Sequence, residues 1–433
     1  MNPSPSASPT LSIIVPTHNR SALVRRVLEA LSRQSYPATA FEVLVVADAC
    51  RDETEDTVAA YAAQAPYRLH LLSHRAGSAA ATRNLGAAHA RGRVLLFLDD
   101  DVVPQPGLVQ AHVEAQRQNR VVLGYSRPIL PAQPGWWQLD ARRWWEDAFR
   151  AMGKPGHRFT YRDFFSGNVS MASALFHQVG GFDTSFTGRL EDYELGMRLL
   201  KTGARLCFVP QAIGHHHEST DLGLWLRRVR QDGAADVRIG QRYPELRVRL
   251  FAHVTSPCDQ KRGRLRKVAF GHPQRGDRME RLLLRQAALY ERLRLRGRWR
   301  KLVSLLQDYN YCRGVAETIG DWPAFSAWLQ EAPLPPAVAG DAPVVDLAAL
   351  PAADALEEAL KHATDQGLRL ALGGYEVLTI PPQPGAEPLR DEHLHLALRE
   401  LAEQQFVPAL AMHLVRSTSP GGLLWQSSSS TLT

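Results

Sequence analysis

The sequence predicts an α/β protein built on a mostly parallel sheet with helices on both faces. Two observations carry that expectation. From residue 11 to residue 118, short apolar runs that read as buried strands alternate with helical stretches, the pattern of parallel strands joined by crossover helices. These runs also end in polar residues, at Pro16–Thr17, Asp48 and Asp99–Asp101. In such sheets ligands bind beyond the carboxyl ends of the strands.

Taken in order, residues 1–10 read as disordered from their Ser and Pro content. LSIIVP (11–16) is a strand, and 22–34 a helix with Leu23, Val27, Leu28 and Leu31 on one face. FEVLVVAD (41–48) is the second strand, and ETEDTVAAYAAQ a helix capped by Asp52. YRLHLLS, SAAATRNLGAAHA, RVLLFLD (93–99) and 107–118 continue as strand, helix, strand and helix. After residue 130 the pattern changes. PGWWQLDARRWWEDAFR is an amphipathic aromatic segment, and FFSGNVSMASALFHQVGGFD a strand, a short helix and a turn. EDYELGMRLLKTG is a helix that stops at Gly203, and ARLCFVPQAIGHHHES a strand followed by a second, polar one. Residues 221–330 are mostly helical and arginine-rich. PLPPAVAGDAP (333–343) is a linker by composition. Residues 344–415 form a small α/β unit, from VVDL, ADALEEALKHAT, LRLAL, HLALRELAEQ and FVPALAMHLV, and 416–433 a loose tail.

Four cysteines without a CxxC argue against a disulfide scaffold or zinc-thiolate site and fit a reducing compartment. No signal peptide is visible, and no apolar run reaches the ~18 residues of a membrane span. The expected location is cytoplasmic. The net charge is +7, but between Lys261 and Lys301 there are 15 Lys/Arg against three acids. That stretch suits a solvated helix, or a polyanion, a phosphate-bearing substrate or an anionic membrane. A nucleic-acid partner is disfavoured, because no reading helix or aromatic RNA-binding motif accompanies the charge.

FLDDD (97–101) places three carboxylates at the end of a buried strand, where like charges repel and burial raises the cost. A divalent cation resolves this, and a polar β-turn is the plainer alternative. In an extended segment Asp99 and Asp101 point one way and Asp100 the other. All-oxygen ligation suits Mg²⁺ or Mn²⁺. Glu191 and Asp192 open a helix, where either acts as a cap or as a general base. Along the strand through GHHHES, His215 and His217 share one side and His216 takes the other. Arg75, Arg83 and Asn84 flank the third helix, where an arginine suits a diphosphate. Neither GxxxxGK[ST] nor a GxGxxG after the first strand is present.

Together, LSIIVPTHNR, the strand ending in Asp48, ATRNLGAAHARGRVLLFLDDD, GGFDTSFTGRLEDYELGMRL and the histidine cluster resemble the inverting glycosyltransferases of family 2, over about residues 11–235. The resemblance implies a GT-A fold, Rossmann-like with a mixed central sheet; the helical basic extension (236–332) and the small C-terminal unit follow it in the sequence, and residues 344–415 do not match the family core. It implies a nucleotide-diphospho-sugar donor bordered by Pro16, Thr17, Asn19 and Arg20, with Asp48 on the base and Arg83 near the diphosphate. Asp99–Asp101 would match the family's DxD motif. Asp101 would be the direct ligand of Mn²⁺ or Mg²⁺, with Asp99 at the ribose or metal, and His215 or His217 would complete the site ahead of His216. Asp100 would face a sugar hydroxyl or a backbone amide. Asp192 would be the base, supported by Glu191. ADACRDET stands where the family often has a DGSxD-like string, so Ala49 and Cys50 depart from it.

The acceptor would be a glycan, a glycolipid or a small molecule, with Trp136, Trp137, Trp144 and Trp145 over it, in the core, or against lipid or a partner. Residues 261–301 would rest on an anionic membrane, where each Lys/Arg contributes about 1 kcal/mol. His393 and His395 complete no ligand set. A nucleotidyltransferase and a non-catalytic glycan- or partner-binding domain are the competing functions. The first lacks its glycine- and lysine-rich loop, and the intact Asp99, Asp101, Glu191 and Asp192 speak against the second.

Overall fold

The computed structural model describes residues 9–75, 77–186, 188–217, 220–256, 260–333, 344–349, 360, 367–390 and 392–394. The chain groups into two compact units, residues 1–154 with 159–334 and residues 155–158 with 335–433.

The larger unit begins as expected, with β1 (Leu11–Thr17), α1 (Ser21–Leu31), β2 (Phe41–Asp48), α2 (Thr54–Ala62), β3 (Arg68–His74), α3 (Ala79–His89) and β4 (Val94–Leu98). There follow β5 (Val102–Pro104), α4 (Leu108–Ala115), β6 (Arg120–Ile129), α5 (Trp136–Met152), β7 (Asn168–Ala172) and α6 (Ser173–Gln178). Then come α7 (Glu191–Lys201), β8 (Arg205–His217) and the helices α8 (Leu222–Arg242), α9 (Arg247–Thr255), α10 (Gln260–Gly271), α11 (Pro273–Arg292), α12 (Arg296–Ile319) and α13 (Trp322–Gln330).

The strands form one mixed sheet in the order β3-β2-β1-β4-β7-β6-β8-β5. The first four are parallel, β7 runs antiparallel to β4 and β6, and β6 pairs in parallel with β8. β2 is buried along its whole length, which is why it reads as an unbroken apolar run. Alternation along β1 sends Ile13 and Val15 into one core with α1, and Ile14 into the other with α3 and α7.

Three elements of this unit differ from expectation, the first being the short strand β5, which was not expected between the strand at 93–99 and the helix at 107–118. The sequence at 205–217 forms one strand, with a register shift against β6 at Gly124–Tyr125. β6 itself was not expected; Gly124 and Pro128 interrupt its run, and such residues weaken a strand pattern. The glycine is a packing requirement: a Cβ there would lie 2.3 Å from Asn168 Nδ2.

The arginine-rich helices pack onto this unit. α8 and α12 cross at a pair of glycines. A Cβ on Gly314 would lie 1.8 Å from the Arg230 carbonyl oxygen, and one on Gly233 would lie 2.2 Å from that of Tyr311. In the smaller unit, β9 (Val344–Asp346), β10 (Leu368–Leu372) and β11 (Tyr375–Ile380) form a three-stranded sheet in the order β11-β10-β9. β9 and β10 were expected and β11 was not. The helices and last strand expected there, and His395, lie outside the described residues. His393 is buried against Glu387.

Gly314→Ala should cost about 1–3 kcal/mol by forcing α8 and α12 apart. Gly297→Ala, where a Cβ meets nothing within 4 Å, should instead stabilise α12 by up to ~1 kcal/mol. Urea unfolding of the two variants checks the opposite signs.

Candidate active site

The carboxyl ends of β1, β2 and β4, the first turn of α7 and the end of β8 face one cavity of about 1110 Å³. That exceeds the ~300–1,000 Å³ of a typical single-ligand site. Pro16, Thr17, Arg20, Asp48, Arg83, Asp99, Asp100, Asp101, Glu191 and Asp192 all line it.

The acids at the end of β4 do not continue the strand. Val102 N–H donates to the Asp99 carbonyl (3.0 Å), closing a turn. The plainer alternative thus describes the backbone, and the extended geometry for Asp99 and Asp101 is corrected. Asp100 turns inward, accepting from the Thr17 hydroxyl (2.7 Å) and Arg20 (2.7 Å). Its partners are therefore Thr17 and Arg20, a correction to the expected sugar hydroxyl or backbone amide. The same Arg20 nitrogen donates to Asp101 (2.9 Å). Arg83 bridges Asp99 and Glu191, both at 2.9 Å.

Burial pushes Asp100 up to about 6, with Arg20 opposing and the charge of Asp101 adding. Burial also raises Asp101, against the pull of His216 and Arg20. For Arg20 and Arg83 burial disfavours the charge, but the facing carboxylates outweigh it and hold both firmly protonated.

Leu190, just ahead of α7, sits at φ 64°, a left-handed conformation that costs a non-glycine residue roughly 1–2 kcal/mol. It introduces the turn at which Glu191 and Asp192 enter the cavity wall. Burial, then the charge of Glu191, lifts Asp192 to about 7, with Arg189 and Arg83 opposing. A carboxylate tuned so close to neutrality suits general-base work.

Asp48 ends β2 and accepts from the backbone N–H groups of Gly77 (3.0 Å) and Ser78 (2.9 Å), at the start of α3. Burial raises its pKa, but these bonds, with His74 and Thr82, outweigh burial and hold it below the usual carboxylate range. The next residue, Ala49, has φ 51°, a conformation that glycine adopts without penalty.

The histidines are a correction. Strand alternation holds, but the cavity side is that of His216, whose Nε2 lies 3.7 Å from Asp101 Oδ1. His215 meets Gln105 (2.9 Å) and His217 meets Arg26 (3.2 Å), on the other side. The antiparallel pairing of Val102 with His216 decides which side faces in. Asn19 does not line the cavity either. It accepts from Arg51 N–H (2.7 Å), while its neighbour His18 is in the wall. Gly167 was also missed, since nothing local marks it.

The tryptophans divide. Trp137, Trp144 and Trp145 line the cavity, and Trp136 packs edge-on against Trp299 (5.6 Å). Trp225 of α8 and Trp299 of α12 line the cavity as well. They come from stretches with no recognisable motif.

Among the described residues no three His, Cys, Asp or Glu groups are gathered into a ready metal cage. Asp99, Asp101 and His216 nevertheless fit a hard cation that takes its other ligands from phosphate and water. Nδ1 of His216 is buried and has no hydrogen-bond partner among the described residues. A Cβ on Gly167 would lie 2.6 Å from Asp99 Oδ2, so this glycine keeps that oxygen approachable.

A parallel half-sheet whose strand ends carry an arginine-braced cluster of acids, extended by antiparallel strands, defines a GT-A domain. Residues 12–179 match the model of glycosyl transferase family 2, and residues 147–220 that described as the N-terminal domain of galactosyltransferase. Over residues 12–179 the chain is thus similar to the family 2 glycosyltransferases. It is 34% identical over 216 residues to validoxylamine A glucosyltransferase of Streptomyces hygroscopicus subsp. jinggangensis, covering 44% of this chain and 51% of that one. It is 27% identical over 261 residues to the pre-mycofactocin glycosyltransferase of Mycobacterium tuberculosis, covering 56% and 51%. The chain thus spans about half the length of these curated relatives. A mannosyltransferase of Pyrobaculum calidifontis, solved with GDP-Man and Mn²⁺, superposes with a TM-score of 0.49 at 19% identity, over 72% of this chain and 88% of that one.

Because the Asp192 pKa is raised from 3.8 to about 7, the folded state holds a proton that the unfolded chain releases between those values. Ionised Asp192 therefore costs stability, fully above about pH 7 and not at all below about pH 4. Asp192→Asn should raise the melting temperature by a few degrees at pH 8 and leave it nearly unchanged at pH 4, as scanning calorimetry would register.

Proposed function

We propose that the larger unit transfers a sugar from a nucleotide-diphospho-sugar to an acceptor hydroxyl with inversion of configuration. The observation that carries this is Asp192, lifted to about 7, facing the same cavity as Asp99–Asp101. Asp192 takes the acceptor proton as that oxygen attacks the anomeric carbon from the face opposite the diphosphate. The bond from the anomeric carbon to the phosphate oxygen breaks, and its electron pair leaves with the nucleoside diphosphate. Glu191, held by Arg83, keeps a second negative charge beside Asp192 and so sustains its basicity.

Pro16, Thr17, Arg20 and Asp48 border the nucleoside, and Arg83 stands at the diphosphate side. Asp99, Asp101 and His216 would hold Mn²⁺ or Mg²⁺. When bound, such an ion supplies electrostatic stabilisation of the leaving diphosphate. The extent of the cavity supports a site for two substrates.

The basic stretch supports a second reading, contact with an anionic membrane. Leu282, Leu289 and Leu293 are 62%, 50% and 56% exposed, at helical spacing with the exposed Arg278 and Arg285. The acids turn away: Asp277 meets Arg230 and Tyr309, Glu280 meets Asn310, and Glu291 meets the backbone of Trp136. Among the described residues no helix is long and apolar enough to cross a membrane, so the contact would be peripheral.

Asp192→Asn should lower kcat by about 10²–10⁴ while leaving nucleoside diphosphate affinity within a few-fold. The wild-type rate should fall as pH drops through about 7. Nucleotide release from a panel of sugar donors reads both, and unchanged turnover in Asp192→Asn would sink the assignment. EDTA treatment should cost orders of magnitude in rate, restored by Mn²⁺ or Mg²⁺. Leu282→Glu with Leu289→Glu should abolish sedimentation with phosphatidylglycerol vesicles without altering turnover on a soluble acceptor.

A further inference from the structure

Resting on the transferase reading, we infer that Arg189, gripped by Asp232 of α8, is a positioning residue that controls the basicity of Asp192. The observation is a chain of three charges. Arg189 and Asp192 both line the cavity, whereas Asp232 does not. Arg189 Nε donates to Asp232 Oδ1 (2.7 Å) and its Nη2 to Oδ2 (3.4 Å). Two parallel bonds of this kind fix the plane of a guanidinium.

The local backbone makes this placement specific. Gly188 at φ 107° and Leu190 at φ 64° flank Arg189, so the chain turns sharply on either side of one residue. A left-handed leucine persists only where its surroundings over-determine it. α8 supplies that constraint at two points. Arg242 binds Asp183 at the start of the segment, and Asp232 binds Arg189 at its end. The Arg189 and Asp232 side chains are 30% and 20% exposed, so salt and water screen this pair only in part.

One positive charge thus faces carboxylates on two sides, and what Asp232 offsets is withdrawn from Asp192. The other charges around Asp192 are Glu191 on its own helix and Arg83 of α3. Arg162 and Asp232 act on the neighbouring Tyr193. Arg83 is already bound to Asp99 and Glu191. Of the two cations, Arg189 opposes the rise at Asp192 the more strongly. With Asp232 neutral, the whole charge of Arg189 would act on Asp192 and make it a weaker base. With Arg189 neutral, Asp192 would hold its proton to higher pH.

The test follows nucleotide release from UDP-glucose or GDP-mannose with Mn²⁺, water serving as acceptor, across a pH series. The acid limb should move down by about one pH unit in Asp232→Asn and up by about one in Arg189→Gln. Arg189→Lys keeps the charge and should lie closer to wild type than to Arg189→Gln. A calorimetric measurement needs no turnover. The gain in melting temperature from Asp192→Asn at pH 8.5 should shrink in the Asp232→Asn background and grow in the Arg189→Gln background, because the cost of ionising Asp192 follows its folded pKa. Should one of these substitutions prevent folding, the other decides together with Arg189→Lys. Acid limbs that coincide, or that move in one direction in both variants, would reveal an ion pair that only holds the fold. Either result, or an Asp192→Asn gain equal in all backgrounds, would overturn the inference and leave the transferase reading standing. Absence of nucleotide release from every donor would instead remove the transferase reading, and the calorimetric comparison would still judge the link between Arg189 and Asp192.

Discussion

Two arginines hold the site together. Arg20 spans Asp100 and Asp101, and Arg83 spans Asp99 and Glu191. Each joins separate parts of the chain, Arg20 linking the start of α1 to the end of β4, and Arg83 linking α3 to the end of β4 and to α7. Without them, acids brought together at the edge of a dry core would repel, and the burial that raises Asp100 and Asp101 would drive them neutral. With them, the cluster keeps charge available for a cation and leaves Asp192 as the acid whose affinity for a proton rises to the working range. A network of this kind acts as a unit, so its members' contributions will not add.

The same cavity depends on close packing well away from the acids. Trp299 and Gln307 reach it because α12 crosses α8 at Gly233 and Gly314 with little space for a side chain at either position. The helix that carries them also begins inside the basic stretch. The positive charge in that stretch therefore belongs to more than one surface. Arg296 and Arg300 brace Asp140 beside the cavity, while Arg278 and Arg285 face solvent with exposed leucines. One compositional feature thus covers two physical roles.

Much of the domain was legible. The first four strands and three helices appear close to their expected bounds, because their apolar periodicities are strong and their connections short. β5, β6 and β11 were not legible. β6 is interrupted by Gly124 and Pro128, and its burial comes from β7 and β8 rather than from its own pattern. The candidate site was legible in its acids, since Asp48, Asp99–Asp101 and Asp192 occupy strand ends and a helix start. His216 was misjudged, and the contributions of Trp225, Trp299 and Gln307 were not foreseen. Nothing within a few residues of them indicates what they will face.

The sequence by itself determined which residue types stand at the ends of buried strands, because alternation and burial are local properties of a few consecutive residues. It also determined that three adjacent carboxylates must find compensation. Only the tertiary structure decided where that compensation comes from and which histidine looks inward. Those outcomes depend on the register of β5 against β8 and on how α3, α7 and α12 meet the sheet. They join residues scores of positions apart, and no local pattern encodes such a meeting.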